Sequence, residues 1–260
     1  MRYKLTIEYD GTNLLGWQRQ LDGPSVQQYL EDILEKLNGG KKENAGFLPQ
    51  APDKTNFIVS AGRTDAGVHA LAQVVHIDLK REMEPWKIRE AFNGNLLAQE
   101  APVSVLEVEA VGEDFNARFS AKKRAYIYRI LNRRAPSPLR KNRAWWVPVP
   151  LDIEKMRQGA AYLIGHHDFS SFRAAACQAK SPVKTLDKID IVKEGEEIVF
   201  YVEARSFLHH QVRNIVGTLK MVGDGHLRPE DIKTILEAKD RTAAGPTAPA
   251  GGLYLSRVEY

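Results

Sequence analysis

A single cysteine, Cys177, among 260 residues leaves no partner for an internal disulfide and excludes a four-thiolate zinc site. No uncharged apolar run approaches the ~18 residues that suggest a membrane span. The opening Met1-Arg2-Tyr3-Lys4-Leu5-Thr6-Ile7-Glu8 puts a carboxylate where a secretion signal needs its apolar middle, so a cytoplasmic protein with no membrane partner is expected. Phosphate-cradling patterns are missing as well. Gly39-Gly40-Lys41 is followed by Lys42, and Gly223-Asp224-Gly225 lacks a third glycine at the needed spacing, which argues against any nucleotide cofactor. What is present, 43% hydrophobic and 27% charged residues, suits one large domain or two ordinary ones and excludes disorder and coiled coil.

The most informative absence is local. From Phe115 to Leu151 there is no acid, while Arg118, Lys122, Lys123, Arg124, Arg129, Arg133, Arg134, Arg140, Lys141 and Arg143 supply ten cations; the whole chain is only +4, so the remainder is −6. Such segregation suits a polyphosphate partner. Tyr126, Tyr128, Trp145 and Trp146 lie among these cations and offer stacking surfaces for unpaired bases. A solvated basic edge with core aromatics has the same composition.

Periodicity predicts two similar halves. Tyr3, Leu5, Ile7 and Tyr9 alternate with polar residues as in a half-buried strand. Ser25 and Gln28 resemble a capping box before Val26, Leu30, Ile33 and Leu37 at helical spacing. The polar span Asn38 to Asn56 reads as a long exposed excursion. Strands are predicted over 57–60, 71–79 and 103–111, with a proline-started helix over 85–92. The order β-α-β-β-α-β returns after a linker near Gly112: strands over 124–131, 183–192, 198–207 and 253–258, and helices over 153–163, 211–222 and 229–238. The expected fold is α+β, with two split-βαβ, ferredoxin-like halves, 1–112 and 113–260, joined side by side around a central, mainly antiparallel sheet.

Three constellations could carry chemistry. Ser60-Ala61-Gly62-Arg63-Thr64-Asp65-Ala66-Gly67-Val68-His69-Ala70 joins two apolar strands by a tip longer than a tight hairpin needs, fit to present a carboxylate or to make an Asp-x-Gly turn. His69 reads as a packing residue. Arg213 opens a helix whose buried stripe is Val212, Ile215, Val216, Leu219 and Val222, where the dipole disfavours a cation; a buried carboxylate partner would explain it, and Gly217 would leave room for close approach. His166-His167-Asp168 and His209-His210 invite a metal, but neighbours on a strand point to opposite faces and neither spacing matches a zinc motif, so no metal is expected. On the strand from Arg124 to Leu131, Arg124, Tyr126, Tyr128 and Ile130 share a face, which suits either base stacking or the core.

Taken in order, Glu8-Tyr9-Asp10-Gly11, Gly16-Trp17-Gln18, Ala61 to Ala70, Ala117-Arg118-Phe119-Ser120-Ala121, Tyr126-Ile127-Tyr128, Asp168-Phe169-Ser170-Ser171-Phe172, His209 to Gly217 and Gly252-Leu253-Tyr254-Leu255 resemble the tRNA pseudouridine synthase A family over nearly the whole chain. The resemblance implies the pseudouridine synthase fold. It further implies a cofactor-free homodimer that isomerises uridine to pseudouridine at positions 38 to 40 of the tRNA anticodon stem-loop. By motif match, Asp65 is the catalytic nucleophile or base, Tyr126 stacks on the target base, Arg213 pairs with the aspartate, and Arg63 helps hold the place of the flipped nucleotide. Lys122, Lys123 and Arg124 in the acid-free stretch are expected to bind RNA. Asn116 and Ala72 depart from the family pattern, where histidine and glycine are usual, and the 38–56 excursion is long. A non-catalytic RNA-binding protein and a metal-dependent RNA hydrolase are the rival readings.

Overall fold

The computed structural model describes residues 1–40 and 57–260, so most of the expected excursion lies outside the described residues. It divides into two compact units, residues 1–121 with Tyr260, and residues 122–259.

In unit 1, β1 (Arg2–Tyr9), α1 (Val26–Leu37), β2 (Val59–Ser60), β3 (His69–Asp78), α2 (Pro85–Ala98) and β4 (Val103–Val111) follow the expected β-α-β-β-α-β order. The sheet runs β4-β1-β3-β2 with every pairing antiparallel, the strand order of a split-βαβ unit. Tyr3, Leu5, Ile7 and Tyr9 of the central β1 are all buried, as their alternation requires. Ser25 caps α1 by accepting from the Gln28 amide at 3.3 Å. Helix α2 continues six residues past its expected end, through Asn93-Gly94-Asn95. A tertiary contact explains this: the Asn93 carboxamide donates to the Val105 carbonyl and accepts from the Val105 amide, both at 2.8 Å, substituting for strand pairing on β4. Residues after the expected linker at Gly112 still pack in this unit. Phe115 packs at a tilt against Tyr260 and meets His76 edge-on, and the Ala117 amide donates to His76 Nδ1 at 3.1 Å.

Unit 2 contains β5 (Lys123–Asn132), β6 (Trp145–Val147), α3 (Ile153–Ala161), β7 (Gly165–Asp168), β8 (Val183–Glu194), β9 (Glu197–Ala204), α4 (Gln211–Gly223), α5 (Asp231–Ala238) and β10 (Leu253–Glu259). Its sheet runs β10-β5-β9-β8-β7. Setting aside the short β6 and β7, the order is again fourth, first, third, second, so the sequence-level repeat of elements is also a repeat of topology. Strand β6 lies parallel to β5, and β7 pairs antiparallel with β8; neither was predicted. Three or four residues are too few to show a period, and two histidines in β7 give no strand signal. The class is α+β with mainly antiparallel pairing, as expected. Among the described residues no helix is long and apolar enough to cross a membrane.

Candidate active site

The Asp65 loop spans the eight residues between β2 and β3 and is gripped at several points within unit 1. The Ala61 amide donates to the Val74 carbonyl at 2.8 Å, and the fully buried Gln73 donates from its side chain to the Gly62 carbonyl at 2.7 Å. Thr64 is held twice: its hydroxyl shares a 2.8 Å hydrogen bond with the Tyr9 hydroxyl, and its carbonyl accepts from the Trp17 amide at 3.0 Å. The Val68 amide then donates to the Asp65 carbonyl at 3.1 Å, and Gly67, at φ +79°, turns the chain into β3.

The segment after β1 forms the loop's outer wall. Gly16 sits at φ +91°, and a Cβ there would stand 2.6 Å from the Thr64 carbonyl, so only glycine lets Trp17 approach. A Cβ on Gly11 would overlap the Val68 carbonyl. The Gly11 amide donates to His69 Nδ1 at 3.0 Å, so the buried His69 presents a lone pair to the backbone and serves packing, as expected. Asp10 Oδ1 lies 3.1 Å from the same nitrogen. A nitrogen already accepting from Gly11 has no proton to share there, and that oxygen accepts from the Thr12 amide and hydroxyl instead. Asp65 ends half-buried at the tip, with Arg63 exposed two residues before it.

Unit 2 carries the other expected residues. On β5, Tyr128 is fully buried and donates to the Pro249 carbonyl at 2.8 Å. Burial pushes its phenol well above the usual range, against a lowering by the nearby Arg213 charge. Tyr126, one step along the same face, is half-buried and meets the Phe207 ring edge-on at 5.1 Å. The shared face is thus divided between a core tyrosine and a partly accessible one. Arg213, in the first turn of α4, donates from Nε to the Ala248 carbonyl at 2.8 Å, while its own carbonyl accepts from the Ala248 amide at 3.1 Å. This bond orients the guanidinium and leaves the two terminal nitrogens to other acceptors.

The 245–249 segment that holds Arg213 is itself fastened to α4. Buried Asn214 accepts from Thr247 at 2.7 Å and from Arg241 at 3.2 Å, and donates to the Phe172 carbonyl at 2.9 Å. Thr218 accepts from the Gly245 amide at 3.0 Å. A Cβ on Gly217 would overlap the Pro246 carbonyl, so the close approach expected at Gly217 is that of this backbone. The sequence gives no hint of Ala248, Pro249 or Thr247, because their contribution is backbone contact and anchoring rather than a chemical side chain.

Two expectations are corrected. His209 and His210 are not on a strand: β9 ends at Ala204, and the pair occupies a turn before α4. His210 takes φ +63°, which brings the two rings to 4.0 Å instead of onto opposite faces. In β7, His166 bonds Thr185 Oγ1 at 3.0 Å and His167 the Ile164 carbonyl at 2.9 Å. Second, the acid-free stretch is not acid-free in space. Lys123 pairs with Glu203 at 3.3 Å, Arg129 with Glu197 at 2.9 Å, Arg133 with Glu196 at 2.6 Å, and Arg140 approaches Glu197 at 2.9 Å. Arg124 is buried, its guanidinium donating to the Arg205 carbonyl at 2.6 Å. Lys122, Arg134 and Lys141 are exposed and make no ion pair among the described residues.

A tRNA pseudouridine synthase family profile matches residues 5–120 and 160–260. The chain is similar along its full length to curated proteins named tRNA pseudouridine synthase A: 56% identical over 259 residues to that of Paramagnetospirillum magneticum, covering 95% of it. It is 52% identical to that of Rhodospirillum centenum and 48% to that of Sinorhizobium fredii, each over 99% of the relative. Unit 1 thus carries a glycine-walled loop with a half-buried carboxylate, and unit 2 carries a half-buried tyrosine and an arginine in the first turn of a helix. The chain belongs to the tRNA pseudouridine synthase family.

Proposed function

We propose that this chain isomerises uridine to pseudouridine in tRNA, at positions 38, 39 and 40 of the anticodon stem-loop, with Asp65 as the catalytic carboxylate. The observation that carries the reading is full-length similarity to proteins of that name, together with a loop that fixes the backbone on both sides of one half-buried acid.

The reaction breaks the bond from the ribose C1′ to uracil N1 and forms one from C1′ to C5. The C5 hydrogen leaves as a proton and N1 gains one, so atoms and electrons balance without a redox partner, and no cofactor is required. A paired or stacked base cannot be reached, so the nucleotide is extruded at a cost of a few kcal/mol. Tyr126, accessible beside Phe207, offsets part of that cost by stacking, and Arg63 at the exposed tip helps hold the vacated place in the RNA. Uracil must turn while detached, which favours a flat apolar surface over rigid polar clamps.

Asp65 acts ionised, as nucleophile or base. In this reading Arg213 is its partner, as the family resemblance implies: a planar guanidinium suits an ionised carboxylate. Among the basic residues, Lys122 is assigned to phosphate contact and Arg124 to holding β5 against the Arg205 backbone. In this reading the enzyme is cytoplasmic, where its substrate tRNA is, and a homodimer, as the family resemblance implies. Carbodiimide mapping of an unmodified tRNA after incubation tests the site assignment. New adducts at positions 38 to 40 are expected, and adducts elsewhere with none there would overturn it.

A further inference from the structure

Tyr9 has a hydroxyl buried beneath the Asp65 loop that the chemistry above does not use. It lies on β1, a central strand of unit 1, and bonds Thr64, the residue immediately before the aspartate, at 2.8 Å. Gln73, fully buried on β3, bonds the Gly62 carbonyl and also approaches the phenol. Burial pushes the Tyr9 phenol up to about 12, opposed by hydrogen bonds from Thr64 and Gln73. The phenol is therefore neutral at any working pH and keeps its one hydrogen.

The geometry points to Tyr9 as a positioning residue that sets the Asp65 carboxylate through Thr64, with no contact to the substrate. A rigid strand supplies the reference point. From it the Thr64 side chain is fixed by Tyr9, the Thr64 carbonyl by Trp17, and the Asp65 carbonyl by Val68. Remove the hydroxyl and Thr64 keeps only its backbone tether, so its side chain can rotate and the next residue gains freedom. A displacement of about 1 Å at a reacting atom costs up to about a hundredfold in rate while leaving distant phosphate contacts intact. The same strand holds an internal control: buried Tyr3 donates to the Met83 carbonyl at 2.8 Å and accepts from the Met83 amide at 2.9 Å, away from the loop.

This inference rests on Asp65 being the catalytic carboxylate, and its test is separate from that of the reading itself. Single-turnover tritium release from tRNA labelled at uracil C5 is measured with enzyme saturating, beside tRNA affinity and thermal midpoint. Tyr9→Phe is expected to slow release roughly ten- to a hundredfold, with affinity within about threefold and the acidic limb of the pH profile unmoved. Thr64→Val should show the same loss and Thr64→Ser should recover most of it. In the Tyr9→Phe, Thr64→Val double variant the losses should not multiply, because both remove one contact. Tyr3→Phe should lower the thermal midpoint and leave the rate alone. If Tyr9→Phe does not fold, the Thr64→Val and Thr64→Ser pair decides. A wild-type rate in Tyr9→Phe, multiplying losses, or Thr64→Ser as slow as Thr64→Val overturns the assignment. Full activity of Asp65→Asn would instead overturn the catalytic reading.

Discussion

Replacing Asp65 by asparagine changes charge and hardly changes shape, so it separates chemistry from binding. Asp65→Asn is expected to abolish tritium release while tRNA affinity stays within about tenfold, since the amide is nearly isosteric but not nucleophilic. For Tyr126, half-buried against Phe207, Tyr126→Phe should keep more tRNA binding than Tyr126→Leu, because phenyl preserves the stacking face. Equal weakening in titrations of the two would assign the work to the hydroxyl. Loop length and period left both residues open, Asp65 between a presented carboxylate and an Asp-x-Gly turn and Tyr126 between stacking and the core; their roles come from the motif match to the family. What the period could not reveal is which tyrosine on the face is buried: Tyr128 is fixed by Pro249, 121 residues away in the chain. The bond from Arg124 to the Arg205 backbone was hidden for a similar reason, since a carbonyl partner leaves no mark on composition.

At the scale of elements, glycines separate packing from propensity. Gly217→Ala puts a methyl into the Pro246 carbonyl and must displace the segment that holds Arg213 and Tyr128, at a cost of about 1–3 kcal/mol. Gly94→Ala has open space in the exposed middle of α2 and should gain about 0.5–1 kcal/mol. Urea unfolding of the two variants measures both, and the same sign for both would contradict this packing. Elements whose period is long were read well: β1, α1, β4 and β10 fall within a residue or two of expectation. Helix α2 runs past its expected end because the Asn93 contact to Val105 outweighs the poor helix propensity of Asn-Gly-Asn. The turn at His209-His210 was not read because positive φ at a non-glycine residue is uncommon and histidine marks it only weakly.

For the molecule as a whole, charge and pH responses follow from which cations are paired. Replacing Lys122, Arg134 and Lys141 by alanine should flatten the slope of log affinity against log salt for tRNA by about 2, whereas replacing the acid-paired Lys123, Arg129 and Arg133 should change it less. The linear sequence overstated the patch because Glu197 and Glu203 of β9, and Glu196 in the turn before it, come from far along the chain. In unit 1, burial and then the Arg2 charge lower the His76 pKa, and the Arg2 hydrogen bond lowers that of Asp78. Both folded values lie below the unfolded ones, so the unfolded chain takes up protons first and both contributions are lost as pH falls. The thermal midpoint should begin to drop below about pH 6.5, and His76→Gln should remove the upper part of that drop. The central claim, that this chain moves a glycosidic bond in tRNA, is tested most directly by tritium release from tRNA labelled at uracil C5. Release of one label per modified uridine without cofactor or metal, accompanied by pseudouridine in the digested product, is predicted; bound tRNA with no release, or release without pseudouridine, would contradict it.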